Sequence, residues 1–334
     1  MYDIVNELVK TQGISGREGK IAEKITAWIR PYTDACYTDA LGNLIALKRG
    51  TGRDKKKILL CAHMDEIGFL ITFIEENGYL RVAPVGGIDF IASAYSAVIL
   101  ENGTRGVLVP EEEIEKKEDY KGTKFYIDIG VQSRSEAEKY AKIGDVATVE
   151  PSLFRLAGSC VAGRPLDDRI GCAVLLGIAE RLGQTEDDVY FVFSVQEEVG
   201  CRGAKTAAYS IAPDYSLVFD VTGTGDAIGA KPMAVKVGGG AAIKVKDNSV
   251  ICHTGLVAVL ARLAEEQKTP HQFEILTYGG TDTSSVQTSG MGCVAGALSI
   301  PSRNIHTAVE VADLADAEAC RDLALAFIRN HKGV

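Results

Sequence analysis

The chain has no uninterrupted run of about 18 apolar residues, the least that a membrane-spanning helix requires. The segment from Met1 to Leu8 carries neither a basic leader nor the apolar core of a signal peptide, so the expected location is the cytoplasm. Paired cysteines are missing as well. The eight cysteines are scattered and none stand at C-x-x-C spacing, which argues against a zinc ribbon or a dithiol redox motif. They read instead as small apolar residues in a reducing compartment. Basic charge is scarce: Lys and Arg total 36 against 45 Asp and Glu, a formal charge of −9. Nucleic acid and anionic membranes, which need a concentrated cationic footprint, are therefore disfavoured, and a small molecule or peptide fits better. Repeats and low-complexity tracts are also lacking. What is abundant is apolar material, 46% of the side chains over 334 residues. That suffices for a large core and suggests one large and one smaller domain.

Hydrophobic periodicity orders the chain. Ser15 and Glu18 have capping-box spacing ahead of Ile21, Ile25, Trp28 and Ile29, which predicts an amphipathic helix beginning after Ser15. Strands are expected over Asn43 to Leu47 and Ile58 to Ala62, the second apolar throughout, as in a parallel sheet covered on both faces. From about Phe69 to Gly163 the texture changes to short β-rich runs, such as Ala97 to Leu100, Gly106 to Val109 and Asp145 to Val149, between Gly, Pro and charged turns. This predicts a small antiparallel barrel at 69–163, inserted into a larger α/β unit made of 1–68 and 164–334. Within it, Glu111 to Lys124 is so strongly charged that it reads as an exposed loop. Helix and strand then alternate: a helix over Arg169 to Leu182, strands at Val189 to Val195 and Tyr215 to Asp220 with a helix after Gly203 between them, a helix over Ser249 to Glu266, strands at Phe273 to Thr277 and Gly292 to Ser299, and a closing helix over Asp313 to Asn330. Such alternation implies α/β layers with functional side chains outside the carboxyl ends of the strands.

Those ends carry metal-competent residues: His63 and Asp65, Glu197 and Glu198, Asp220, and His306, with Asp167 and Asp168 just before a helix. Each alone has an ordinary explanation: a surface pair, an N-cap, solvated glutamates. Their coincidence at one topological edge does not, because gathered anions repel and lose solvation unless cations compensate them. Two imidazoles with three carboxylates, one bridging, suit two borderline cations, zinc, cobalt or manganese rather than calcium. Gly238 to Gly240 lacks the ending of a phosphate loop and reads as a turn, and His253, His271 and His331 read as structural or surface residues.

Six motifs in order, Ala62-His-Met-Asp-Glu-Ile-Gly68, Pro165-Leu-Asp-Asp-Arg-Ile-Gly171, Val195-Gln-Glu-Glu-Val-Gly200, Val218-Phe-Asp-Val221, Gly279-Gly-Thr-Asp282 and Ile300-Pro-Ser-Arg-Asn-Ile-His306, resemble those of the TET-type aminopeptidases, also described as glutamyl or deblocking aminopeptidases. The resemblance covers essentially the whole chain and implies an α/β/α phosphorylase/hydrolase-like catalytic domain with an inserted PDZ-like or OB-like barrel. It implies that His63, Asp167, Glu198, Asp220 and His306 hold two divalent metal ions, with Asp167 bridging and its neighbour Asp168 the competing choice. Glu197 becomes the general base and Asp65 the residue that orients His63. The barrel becomes the dimerisation and assembly domain of a hollow dodecamer, its charged loop at an interface or window, and Gly279 to Asp282 a lining of the substrate site or a turn. This chain departs from the family pattern at Cys201, where Leu is usual, and at Asn304, where an aromatic residue is frequent, and both changes bear on side-chain preference. The expected activity is removal of N-terminal residues from peptides. A metal-dependent deacylase or glucanase, and a catalytically silent scaffold, are the competing readings.

Overall fold

The computed structural model describes residues 1–112, 122–331 and 333–334. After the helices Tyr2–Val9 and Gly19–Ile29 come three strands, β1 (Ala35–Thr38), β2 (Leu44–Lys48) and β3 (Lys57–His63). β3 is buried from Ile58 to His63 because its side chains feed cores on both faces of the sheet. Ile58, Leu60 and Ala62 pack into the larger core with Val174, Leu175, Leu323 and Phe327 of the helices Arg169–Leu182 and Leu314–Arg329. Leu59 and Cys61 point the other way, onto Ala204, Ala207 and Ile211 of the helix Arg202–Ile211. That alternation, period two along the strand with apolar residues in both phases, makes three layers, helix on sheet on helix.

The next six strands, β4 (Gly68–Ile74), β5 (Leu80–Val85), β6 (Ala97–Leu100), β7 (Arg105–Pro110), β8 (Phe125–Asp128) and β9 (Val146–Val149), close into a barrel in the order β4-β5-β8-β7-β6-β9. Neighbouring strands run antiparallel. The barrel has its own core, with Phe69, Phe90 and Phe125 packed ring against ring among Ile71, Leu80 and Leu108. Closure leaves no unpaired edge, which lets so small a sheet stand as a unit. The charged segment predicted as a loop is tied at its described ends, where the Glu111 carboxylate accepts from Arg81 and Lys124; residues 113–121 lie outside the described residues.

The chain then returns to the large sheet. β10 (Ser152–Arg155) and β11 (Cys160–Arg164) pair with each other, and β11 pairs with β17, so the barrel's own strands end at Val149. There follow β12 (Asp188–Ser194), β13 (Tyr215–Thr222), β14 (Ala241–Lys246), β15 (His271–Ile275), β16 (Val294–Arg303) and β17 (Glu310–Asp313). The main path runs β1-β2-β12-β3-β13-β16-β17-β11-β10, with β14 and β15 branching from β16. β12, β3, β13 and β16 are mutually parallel neighbours. Parallel pairing is what puts the residues that follow His63, Ser194, Asp220 and Arg303 at one edge of the sheet. Among the described residues no helix is long and apolar enough to cross a membrane.

Two local expectations are overturned. The first long helix spans Gly19–Ile29 with Glu18 at its N-cap, and Ser15 caps nothing: its hydroxyl donates to the Asp65 carboxylate at 2.6 Å. The helix expected from Ser249 begins at Thr254, because the Asp247 carboxylate accepts from the Ser249 and Val250 N–H groups and holds a turn there. Gly238 to Gly240 is the turn expected; Gly238 and Gly240 donate to the Asp316 carboxylate, both at 2.7 Å and both at positive φ.

Phe193, fully buried in β12, fills the larger core directly below the strand end that carries the paired glutamates. Its replacement by Ala should lower unfolding free energy by about 3–5 kcal/mol, read as a lower midpoint in urea denaturation with little change in slope.

Candidate metal centre

His63 ends β3, and its Nδ1 lies 3.1 Å from the main-chain oxygen of Asp65 and 3.5 Å from the Asp65 carboxylate. A proton on Nδ1 satisfies both contacts and turns the Nε2 lone pair the other way. There it meets Asp167 Oδ1 at 3.0 Å and Asp220 Oδ1 at 3.8 Å. Asp167 Oδ2 lies 3.3 Å from Nε2 of His306, and that nitrogen is 3.1 Å from Glu198 Oε2. Two groups therefore form, His63 with Asp167 and Asp220, and Asp167 with Glu198 and His306. In each group the three potential ligand atoms lie within 4.8 Å of one another, and Asp167 belongs to both. All of these residues line one cavity of about 520 Å3, together with Glu197, Leu276, Tyr278 and Ile305.

Asp168 faces elsewhere. Its Oδ1 accepts from the Gly171 N–H, capping the helix Arg169–Leu182, and its Oδ2 accepts from the His63 N–H at 3.3 Å. The next motif residue, Arg169, is fully buried and donates to the main-chain oxygens of Leu8 and Thr11 and to Glu66, which binds the N-terminal segment to the site's foundation.

The loop after β12 is shaped by hydrogen bonds that periodicity cannot reveal. Asp65, fully buried, accepts from the Glu197 N–H at 3.0 Å and the Glu198 N–H at 3.3 Å as well as from Ser15. Glu18 accepts from the Gln196 N–H at 3.1 Å. Gln196 and Cys201 both take left-handed backbone conformations, with φ of 56° and 51°, strain of the kind held at functional loops by surrounding bonds. On the opposite side Glu310, absent from the sequence reading, accepts from the Leu166 and Asp167 N–H groups with one oxygen and from the His306 N–H with the other. The Glu310 carboxylate thus holds the main chains of Asp167 and His306 in register. Gly87 comes so close to His306 that a Cβ there would stand 3.1 Å from Nδ1.

The electrostatics are those of a site short of positive charge. Burial pushes Glu197 well above the usual carboxylate range, and Asp220, Asp282 and Glu198 add to it. Burial pushes Asp282 up to about 7, with help from Asp220 and Asp65. Burial opposes the charged form of Asp167, yet hydrogen bonds from His306 and His63 hold it below the usual range. Burial likewise opposes protonation of His306, but Asp167 and Glu198 raise it to about 11. Protons thus occupy imidazoles that a divalent cation could take in their place. The donor set, nitrogens and carboxylate oxygens around a shared carboxylate, fits two borderline divalent ions. Without metal, the raised His306 contributes stability that is complete below about pH 6.5, the unfolded imidazole value, and is lost as pH rises towards about 11. Metal uptake near neutrality must then release a proton and strengthen as pH rises. Titration calorimetry in buffers of different ionisation enthalpy checks this; zero proton release would show that metal displaces no proton from His306.

Asp282 and Cys201 also stand at this edge. Neither is expected from sequence to bind a metal. Asp282 belongs to the segment expected to line the substrate site or form a turn, and Cys201 is a departure from the family pattern expected to bear on side-chain preference. The Cys201 thiol donates to Glu197 Oε1 at 3.1 Å, and Ser194 donates to Asp282 Oδ2 at 2.5 Å.

A helix–sheet–helix layer whose parallel strand ends gather imidazoles and carboxylates around a cavity is the framework of a metal-dependent hydrolase. The chain belongs to the M42 glutamyl aminopeptidase family, whose profile matches residues 42–323. A protein of Acetivibrio thermocellus named "Putative aminopeptidase" is 45% identical over 316 residues, spanning 95% of this chain and 94% of that one. Among solved structures, the aminopeptidase APDkam598 from the archaeon Desulfurococcus kamchatkensis superposes with a TM-score of 0.94 at 35% identity, covering 98% of this chain and 94% of that one. The Pyrococcus horikoshii TET1 peptidase, described as able to assemble into a tetrahedron or a large octahedral shell, superposes with a TM-score of 0.87 at 35% identity, over 98% and 99% of the two chains. A Thermotoga maritima structure described as an endoglucanase also matches, with a TM-score of 0.82 at 31% identity over 97% and 96%. The family's members are metal-dependent peptidases, and the aminopeptidase fold runs the length of this chain.

Proposed function

We propose that this protein removes N-terminal residues from peptides using two divalent ions, zinc or cobalt with manganese as a third choice, and Glu197 as general base. The observation that carries the proposal is that Asp167 is common to two ligand-competent groups while Glu197 stands beside both and belongs to neither. His63, Asp167 and Asp220 would hold one ion; Asp167, Glu198 and His306 would hold the other. Bound there, the pair supplies Lewis acidity that makes water a nucleophile near neutral pH and polarises the scissile carbonyl.

The chain's own groups do the rest. Glu197 accepts the proton of the attacking water and returns it to the leaving amine nitrogen. Cations held in the two groups would offset the burial that otherwise favours its neutral form. Asp65 acts as a positioning residue: it fixes the His63 ring and, through the Glu197 and Glu198 N–H groups, the loop that carries the base. No protein nucleophile is needed.

The endoglucanase reading has less support. A glycosidase needs two carboxyl groups outside any ligand set, about 5–10 Å apart across a sugar site, and here, among the described residues that line the cavity, Asp167, Glu198 and Asp220 fall into the two metal groups and leave Glu197 alone. The deciding experiment is metal analysis combined with an aminoacyl-anilide panel on one preparation. Two ions per chain with anilide cleavage, abolished by chelation and restored by cobalt or zinc, is the expected result. Reducing sugar released from a polysaccharide with every anilide untouched would reverse the reading.

We assign hydrolysis to residues 1–68 and 164–334 and self-association to the barrel-bearing insertion at 69–163, whose last two strands extend the hydrolytic sheet. The TET1 peptidase shells, and a TET1 structure described as a dodecamer, support self-association of this chain, which we take to proceed through dimers to a dodecamer. A monomeric profile in light scattering at micromolar concentration would end that assignment. The eight free thiols support a reducing, cytoplasmic setting.

A further inference from the structure

We propose that Glu197, Cys201 and Asp282 form a third cation site, which takes a thiophilic divalent ion such as excess zinc or cadmium and thereby inhibits the enzyme. One potential ligand atom from each of the three lies within 4.8 Å of the other two, in a group that shares no member with the two groups built on Asp167. The site is part-formed. Cys201 closes back on Glu197, its N–H donating to the Glu197 carbonyl at 2.8 Å and its thiol to Oε1 at 3.1 Å.

An independent observation points to a ligand. Asp282 is 1% exposed, and while its Oδ2 takes the Ser194 hydroxyl, its Oδ1 is buried with no hydrogen-bond partner. A buried carboxylate oxygen left without a partner is costly, and a bound cation removes that cost. Ligand atoms around a tetrahedral zinc stand roughly 3.3–3.8 Å apart, given bond lengths of about 2.0–2.3 Å. Glu197 lines the cavity, so an ion arriving from solvent meets it there.

The chemistry differs from that of the main centre. A thiolate with two carboxylates selects zinc or cadmium over manganese and magnesium, whereas the Asp167 groups offer only imidazole and carboxylate. On binding, the Cys201 S–H bond breaks, its proton passes to solvent, and the sulfur lone pair bonds the ion. Glu197 becomes a ligand, and its lone pairs can no longer accept a proton from water. Inhibition therefore rests on the reading of Glu197 as general base, while occupancy does not.

The test uses the full-length protein loaded with cobalt. Cadmium chloride is titrated while the ultraviolet cadmium–thiolate charge-transfer band is recorded, and zinc chloride is titrated against anilide hydrolysis. The wild type should develop the band. Cys201→Ser should lose it and need more than about tenfold more zinc for half-inhibition, and Asp282→Asn should bind cadmium more than about tenfold more weakly. An equal band in wild type and Cys201→Ser, or unchanged cadmium affinity in Asp282→Asn, overturns the site. Equal zinc sensitivity of wild type and Cys201→Ser overturns the inhibition. If Glu197→Gln proves fully active, the base assignment falls alone, because the charge-transfer band needs no turnover and still reports whether the site exists.

Discussion

Glu197→Gln is expected to keep its metal ions and to lose about 10²–10⁴-fold in turnover, the range general-base catalysis supplies. The substitution keeps the shape of the side chain and removes its proton acceptor. Glu197 belongs to neither group around Asp167, and among the described residues its carboxylate accepts only from the Cys201 thiol, so nothing in the ligand set should be disturbed. His306→Ala makes the contrast. Its Nε2 lies 3.3 Å from Asp167 and 3.1 Å from Glu198, and removing it leaves those carboxylates facing each other. That variant should lose metal and activity together. Mass-spectrometric metal content beside kcat on a leucyl or glutamyl anilide separates the two; equal metal loss in both variants would falsify the division of roles.

Asp167→Asn should have the larger effect on metal. Its two oxygens face His63 and His306 separately, so one substitution weakens both groups at once. The loss in affinity should exceed the roughly 10–100-fold that follows from losing an outer-shell partner, and turnover at limiting metal should fall with it. Asp168→Asn is the control one residue away. Asparagine also caps helices, and Asp168 serves the Gly171 and His63 N–H groups rather than the cavity. Equilibrium dialysis of both variants against zinc reads the difference. Equal metal retention by the two would mean that Asp167 does not bridge, and stronger loss in Asp168→Asn would transfer the role.

The two aspartates show where sequence reasoning reaches its limit. Which strands end at the site follows from pattern: the run before His63 reads as a strand covered on both faces, and strands are expected before Glu197, Asp220 and His306. Their parallel pairing brings the ends to one edge. Which oxygen faces which neighbour depends on loop dihedrals and on bonds between segments far apart in the chain, and no periodicity encodes those. Ser15 is a plain case. Its spacing to Glu18 fits a helix cap, yet its hydroxyl goes to Asp65, 50 positions away. Glu310 is another, invisible in sequence and buried between Asp167 and His306. Asp282, expected in a segment that lines the substrate site or forms a turn, ends beside Glu197 because the helix Asp282–Gln287 packs on the face of the sheet that also carries Arg202–Ile211.

From its sequence alone, this protein's layer architecture, the helix over Arg169–Leu182, the barrel strands around Ala97 and Val107 and the membership of the acidic edge could be stated, because burial imposes periods of 3.6 and 2 on the residues that build them. Tertiary structure alone decided that β10 and β11 leave the barrel for the large sheet, that Asp167 rather than Asp168 turns into the cavity, and that Cys201 and Asp282 meet at Glu197. Those outcomes depend on directional contacts between distant segments, whose energies exist only once the chain has closed on itself.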